Sequence, residues 1–207
     1  MQIFNLQEEE RENYANFLHK LKSVPSLYVS GINCASIAMY IVYTLDIKLS
    51  LHELFELYYG CLIHDIGKTK VSPRLLNKKG TLSQEEKQII KDHTEYGYEM
   101  IFPYIKSQTI LDIVRYHHEK LNGSGYKSKT SEEISQFVQI STVADMYESI
   151  TSDRPYRQAF SHKEAINFLL KDANAGKLNK DYVLVLQDYN KDKVLFNDII
   201  ELIKLQL

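Results

Sequence analysis

Cysteine is scarce in this chain of 207 residues. Its two cysteines, Cys34 and Cys61, cannot make a disulfide framework, and they fit a reducing compartment. There is no cluster of thiolates of the kind that builds a structural zinc site. A surplus of one charge is lacking too. The formal net charge of −2 offers no basic field to duplex nucleic acid, although local charge could hold a ligand with a few phosphates. Where a signal peptide needs an apolar core, the chain has QEEERE (residues 7–12), so no secretion signal is expected and the expected location is cytoplasmic. No internal repeat or low-complexity tract is visible in these 207 residues, and none of them reads as a sensory or receiver domain. One uncharged stretch, Ser23 to Leu45, has the length to span a bilayer. Pro25, Ser26, Ser30, Gly31, Asn33, Ser36 and Thr44 lie within it, which suits a buried helix of a soluble domain, so no membrane association is expected.

What is present reads as one globular, all-α domain. Hydrophobic residues make up 44% and charged residues 25%, enough to bury a single core. Residues 3–21 are charged and amphipathic, and Pro25 separates them from the uncharged helix that runs to about Asp46. In SLHELFELYYGCLIH (residues 50–64), Leu51, Leu54, Phe55, Tyr58 and Leu62 share a face at helical spacing. Ser83 with Glu86 makes a capping box that predicts a helix through about Ile101, and Ser161 with Glu164 opens another. Residues 108–119 and 132–151 read as two more helices. Gly67, Pro73, Gly80, Gly123 and Gly125 mark turns. Residues 182–207 are expected to be two helices, the other reading being a hairpin of Tyr182–Leu186 with Val194–Phe196.

Chemistry concentrates in a few places. His64 and Asp65 end a helix in HDIGK (residues 64–68). His93 lies within KDHTEYG, the adjacent His117 and His118 leave a helix end in YHHEK, and Asp145 sits in an apolar stretch, TVADMY. Imidazole with carboxylate and no thiolate is a ligand set for iron, manganese or zinc. A carboxylate such as Asp65 can bridge two cations, which suits in-line attack on phosphorus, and Lys68 follows close enough to neutralise a phosphate oxygen. Each piece alone has a plainer reading as a packed or hydrogen-bonded side chain. His19, His52 and His162, on charged faces, keep that plainer reading.

The joint order of these pieces lifts them above it. The run HDIGK, a helical His93, HHExxxGxGY (His117 to Tyr126), VAD ending at Asp145, and TSDRPYR (Thr151 to Arg157) resembles the HD-GYP family over roughly residues 25–190. That resemblance implies an HD-domain helical bundle with an HD-GYP-type extension. An N-terminal amphipathic helix (residues 1–24) would precede it, and a C-terminal amphipathic tail (residues 191–207) would pack on it. It also implies a two- or three-metal centre and hydrolysis of cyclic di-GMP to pGpG or GMP. His64, Asp65, His93, His117, His118 and Asp145 would be the metal ligands, with Asp65 bridging. Asp65 and Lys68 would be catalytic. Lys68, Tyr126, Arg154 and Arg157 would contact the substrate. Two divalent ions are expected, iron or manganese first, with zinc, nickel or magnesium as alternatives. A cyclic dinucleotide is the expected partner, with a signalling protein or a second copy of the chain as further candidates.

The chain departs from the family in two places. Ser30 falls where the family supplies another histidine ligand, which leaves the metal position beside His64 one nitrogen short. Cys34 lies one turn beyond Ser30, and its plainer reading is a small buried core residue. The signature GYP has become Gly125-Tyr126-Lys127, which frees φ after the tyrosine and adds a charge expected to face solvent. Two alternatives therefore stand beside the phosphodiesterase: a catalytically impaired member acting as a nucleotide receptor or protein-interaction module, and an HD-type mononucleotide phosphohydrolase.

Overall fold

The computed structural model describes residues 7–154 and 157–190. Of the two helices expected over residues 182–207, the part from 191 to 207 lies outside these residues, as do the C-terminal tail 191–207 and Val194–Phe196 of the other reading. Among the described residues the chain is helical, and the only bridges between extended residues are isolated pairs, Asn122 with Thr130 and Arg154 with Arg157.

The first helix, α1 (Glu8–Lys22), begins with three glutamates and ends with His19, Lys20 and Lys22, an order that complements the helix dipole. Its apolar stripe buries Tyr14, Phe17 and Leu21. Helix α2 (Pro25–Thr44) opens on a proline, which has no amide to leave unpaired at a first turn. Helix α3 (Leu51–Ile63) starts from a Ser50–Glu53 capping box. Tyr14 stands edge-on to Phe55 and Tyr59 of α3, with ring centroids 5.3 and 4.7 Å away, and the Tyr59 hydroxyl donates to the Tyr14 carbonyl at 2.6 Å. Aromatic pairs of this kind add about 0.5–1.5 kcal/mol each beyond their buried area, so α1 is fastened to α3.

Helix α2 is long and apolar enough to cross a bilayer, but 56% of its apolar window is buried inside the protein. It packs on α3 and on α8 (Gln136–Thr151), which is the position of a core helix.

After α3 the chain makes a short 3-10 turn, Ile66–Lys70, then α4 (Pro73–Leu76), α5 (Gln84–Lys91) and α6 (His93–Ile101). The single helix expected from Ser83 to Ile101 is in fact two, meeting at Asp92. The cause is local: the Nδ1 of His93 takes the Ile90 carbonyl at 2.6 Å, an acceptor that an unbroken helix would give to the amide of Thr94. Helix α7 (Gln108–Tyr116) ends one residue before His117, and its Ile110, Leu111, Ile113 and Val114 are buried against its neighbours. Helices α9 (His162–Asn174) and α10 (Lys180–Val185) close the described fold, followed by a 3-10 turn, Leu186–Asp188. One core cluster runs from Tyr14 to Leu186.

Candidate metal centre

Four helices and one turn deliver the site. The end of α3 presents His64, and the turn that follows presents Asp65. The start of α6 presents His93, the end of α7 presents His117 and His118, and the middle of α8 presents Asp145. The turn after Asp65 can lie against α6 only because residue 67 is glycine. A Cβ there would stand 1.9 Å from the carbonyl oxygen of His93 and 2.5 Å from the amide nitrogen of Gly97. Any larger side chain would push the Asp65 turn away from His93.

All six side chains converge. One ligand atom each from Asp65, His93, His117 and His118 lies within 4.8 Å of the others, and the same holds for His64, His117 and Asp145. Asp65 Oδ1 lies 3.1 Å from His93 Nε2 and 3.7 Å from His117 Nε2, and Asp65 Oδ2 lies 3.5 Å from His64 Nε2. Asp145 reaches His64 Nε2 through Oδ1 and His118 Nδ1 through Oδ2, each at 3.5 Å. Apart from His118, which is half-buried, these groups are buried.

The backbone fixes how the rings face. The Nδ1 of His64 meets the Cys61 carbonyl at 2.7 Å, that of His93 meets the Ile90 carbonyl at 2.6 Å, and that of His117 meets the carbonyls of Ile113 and Val114 at 3.0 and 3.1 Å. A carbonyl only accepts, so each Nδ1 carries a proton and each Nε2 turns toward the centre. His93 Nε2 and His117 Nε2 then confront each other at 3.2 Å. His64 Nε2 and Asp65 Oδ1 are buried without any hydrogen-bond partner. Lone pairs gathered without a donor repel one another and are costly to bury. A cation relieves that cost, so the donor set fits divalent metal, and its nitrogen and oxygen composition suits the first-row ions.

Titration behaviour follows from the same crowding. Burial pushes His117 down to about 4, with the neighbouring His64 and His93 adding to the effect and Asp65 opposing it. Burial and the charge of His117 also hold His118 well below the usual histidine range. For His64, burial is the largest single influence and works against the imidazolium, but the charges of Asp65 and Cys34 and the contacts with Asp145 and Asp65 together outweigh it, and the pKa stands well above the ordinary value. Asp65 itself stays ionised far below the usual carboxylate range, because Lys68 and the histidines outweigh its burial. In the metal-free chain a proton on His64 therefore answers part of the demand for positive charge.

The remaining sequence candidates divide. Lys68 places its Nζ 2.5 Å from Asp65 Oδ2 and lines a cavity of about 710 Å³ beside the centre. Arg154 lines the same cavity, as do Ser26 and Ser30. Arg157 does not reach it: its Nη2 donates to the carbonyls of Ser149 and Ile150, at 2.5 and 3.3 Å, near the end of α8. Tyr126, which does not line this cavity, stands against the histidine cluster, its ring centroid 4.5 Å from that of His118. Lys127 is exposed, as expected, and from there its Nζ pairs with Glu95 at 3.3 Å. Cys34 is a fully buried core residue.

Two acidic residues escaped the sequence reading. Glu148, buried on α8, accepts from the Ser30 hydroxyl at 2.8 Å, the Ser152 hydroxyl at 2.8 Å and Arg154 Nη2 at 3.0 Å. Glu119, also buried, accepts from the backbone amides of Lys127 and Lys129. The signal for Glu148 was available: it lies one helical turn from Asp145 in an otherwise apolar segment.

Comparison with known proteins agrees with this geometry. The model of the HD domain family matches residues 8–181. The chain is 37% identical over 107 residues to a cyclic di-GMP phosphodiesterase of Pseudomonas aeruginosa, covering 51% of this chain and 26% of that protein. It is 30% identical over 149 residues to 3′3′-cGAMP-specific phosphodiesterase 3 of Vibrio cholerae, covering 71% of this chain and 32% of that protein. The chain thus spans about a quarter to a third of the length of these curated relatives. Among solved structures it shares its fold with an HDG"Y"P protein from Bdellovibrio bacteriovorus, at a TM-score of 0.66 and 20% identity, over 78% of this chain and 51% of that one. With the HD motif at the heart of a convergent histidine–aspartate cluster, the chain belongs to the HD domain family and is of HD-GYP type.

Proposed function

We propose that this chain is a metal-dependent phosphodiesterase acting on a cyclic dinucleotide, cyclic di-GMP first, with linear pGpG or GMP as product. The observation that carries the reading is the pair of overlapping ligand groups, Asp65–His93–His117–His118 and His64–His117–Asp145, beside a cavity lined by Lys68 and Arg154. Two centres joined through a shared residue, His117, suit a phosphodiester, whose attacking and departing oxygens both need stabilisation. The names of the relatives support the substrate class, since they act on cyclic di-GMP or 3′3′-cGAMP.

Asp65, His93, His117 and His118 would hold one divalent ion, and His64 and Asp145 would hold the other, with His117 and the neighbouring Asp65 between them; iron or manganese are the first candidates, and the donor set also suits zinc. Such ions supply Lewis-acid stabilisation and make water more acidic at the centre. The chain's own groups do the rest. Lys68, already facing Asp65 and open to the cavity, places its charge where a non-bridging phosphate oxygen would lie. Arg154, braced by Glu148, offers a planar guanidinium to phosphate or base. Tyr126 stands against His118 at the histidine cluster.

A second reading has its own observation. Ser30 gives its hydroxyl to Glu148 and brings no nitrogen to the position beside His64, which favours a member that binds a nucleotide without turning it over. Offering the purified chain cyclic di-GMP, 3′3′-cGAMP and a mononucleotide separates these readings. Cleavage confined to the cyclic dinucleotides supports the proposal. Saturable binding without cleavage supports the receptor, and cleavage of the mononucleotide alone overturns both.

A further inference from the structure

We propose that Lys127 is a positioning residue that fastens the 122–130 loop to the two helices presenting the histidines, and thereby holds Tyr126 as a fixed wall over His118. The inference rests on the reading of the histidine cluster as the working centre.

The loop leaves His117–His118–Glu119 and returns to its own start, with Asn122 bridged to Thr130 and the Ser131 amide donating to the Leu121 carbonyl at 2.9 Å. Its floor is Glu119, 1% exposed, whose two oxygens are spent on the loop itself. Oε1 takes the Lys127 amide at 2.7 Å and Oε2 takes the Lys129 amide at 2.9 Å. Gly125 lies flat on this floor, since a Cβ there would stand 2.5 Å from the Cα of Glu119.

The side chain of Lys127 adds a second tie. Its Nζ reaches Glu95 Oε2 at 3.3 Å, and Glu95 is held from the other side by Arg115, through Nε at 2.6 Å and Nη2 at 3.2 Å. Glu95 stands two residues after His93 on α6, and Arg115 stands two residues before His117 on α7. One residue of the loop is thus tied to the element behind each ligand-bearing helix end. Between these ties sits Tyr126, 4.5 Å from His118 ring to ring, with Lys91 Nζ 5.2 Å from its own ring.

Residue type decides how this works. A proline at 127 would fix φ but would carry no N–H, so Glu119 Oε1 would lose its 2.7 Å donor. Lysine gives up the fixed φ and supplies the donor and the ion pair in its place. The amide bond to a buried carboxylate is the stronger of the two ties, because an exposed ion pair contributes little.

Lys127→Pro and Lys127→Ala separate them. Alanine keeps the amide and loses the charge; proline loses both. Hydrogen exchange on the metal-loaded chain should show protected amides at 127 and 129 in the wild type and in Lys127→Ala. In Lys127→Pro the amide of Lys129 should exchange about tenfold faster. Metal per chain should be unchanged in both variants. With cyclic di-GMP as the probe, Lys127→Pro should raise KM about tenfold at nearly constant kcat, and Lys127→Ala should raise it about twofold. Wild-type exchange at Lys129 together with wild-type KM in Lys127→Pro overturns the proposal. So does a proline variant that binds more tightly. If the wild type itself turns nothing over, exchange and the Kd for cyclic di-GMP still judge the loop, and only the phosphodiesterase reading fails.

Discussion

The hydroxyl of Ser30 on α2 donates to the carboxylate of Glu148 on α8 at 2.8 Å, across 118 residues of sequence. Through Glu148 this bond joins α2 to Arg154 in the cavity, and we infer that residue 30 is the position from which a further nitrogen ligand would come. Ser30→His should break the bond and add a donor on the His64 side. The expected result is more metal per chain at equal free metal concentration, read by elemental analysis after dialysis. Unchanged metal content would mean that residue 30 does not face the deficient position. Ser30→Ala removes the bond without adding a ligand and should cost about 1 kcal/mol in denaturant unfolding, because Glu148 keeps Ser152 and Arg154.

Metal affinity should depend on pH with a defined sign. His64 is held protonated well above the usual histidine range, because the charges of Asp65 and Cys34 and the contacts with Asp145 and Asp65 together outweigh the effect of burial. That proton must leave before Nε2 can bind a cation. Affinity should therefore rise with pH through the range where His64 titrates, by about tenfold per pH unit for one proton released. Competition titrations with Mn²⁺ or Zn²⁺ between pH 6 and pH 8.5, a range chosen around the ordinary histidine value, measure the slope. A flat profile would show that no ligand proton is displaced.

Arg154 and Arg157 should behave differently although they share one motif. Arg154 lines the cavity, so Arg154→Ala should raise KM for cyclic di-GMP by about tenfold or more. Arg157 spends its guanidinium on the Ser149 and Ile150 carbonyls, so Arg157→Ala should lower stability by about 1–2 kcal/mol and leave KM near its wild-type value. Steady-state kinetics beside thermal unfolding checks both. A large KM effect at Arg157 with unchanged stability would contradict the assignment.

The positions that converge were legible as separate motifs, because ligand residues are chemically conspicuous and HDIGK and YHHEK mark helix ends. The capping boxes at Ser83 and Ser161 were legible for the same reason: a cap is written within four residues. The break at Asp92 was not. It follows from His93 turning its Nδ1 back onto Ile90, which hydrophobic periodicity does not report. Glu148 and Glu119 were missed because their partners, Ser30 and the amides of residues 127 and 129, come together only through tertiary packing.

The most direct test of the central claim measures metal per chain and cyclic di-GMP cleavage together, in the wild type and in Asp65→Asn, with Mn²⁺ or Fe²⁺ under reducing conditions. Asp65 contacts both ligand groups, so its carboxylate is the one the chemistry can least lose. The account predicts a metal-loaded wild type that releases pGpG or GMP, and a rate lower by about a thousandfold in Asp65→Asn. A fully loaded wild type that leaves cyclic di-GMP intact, or an Asp65→Asn variant that cleaves it as fast, would contradict it.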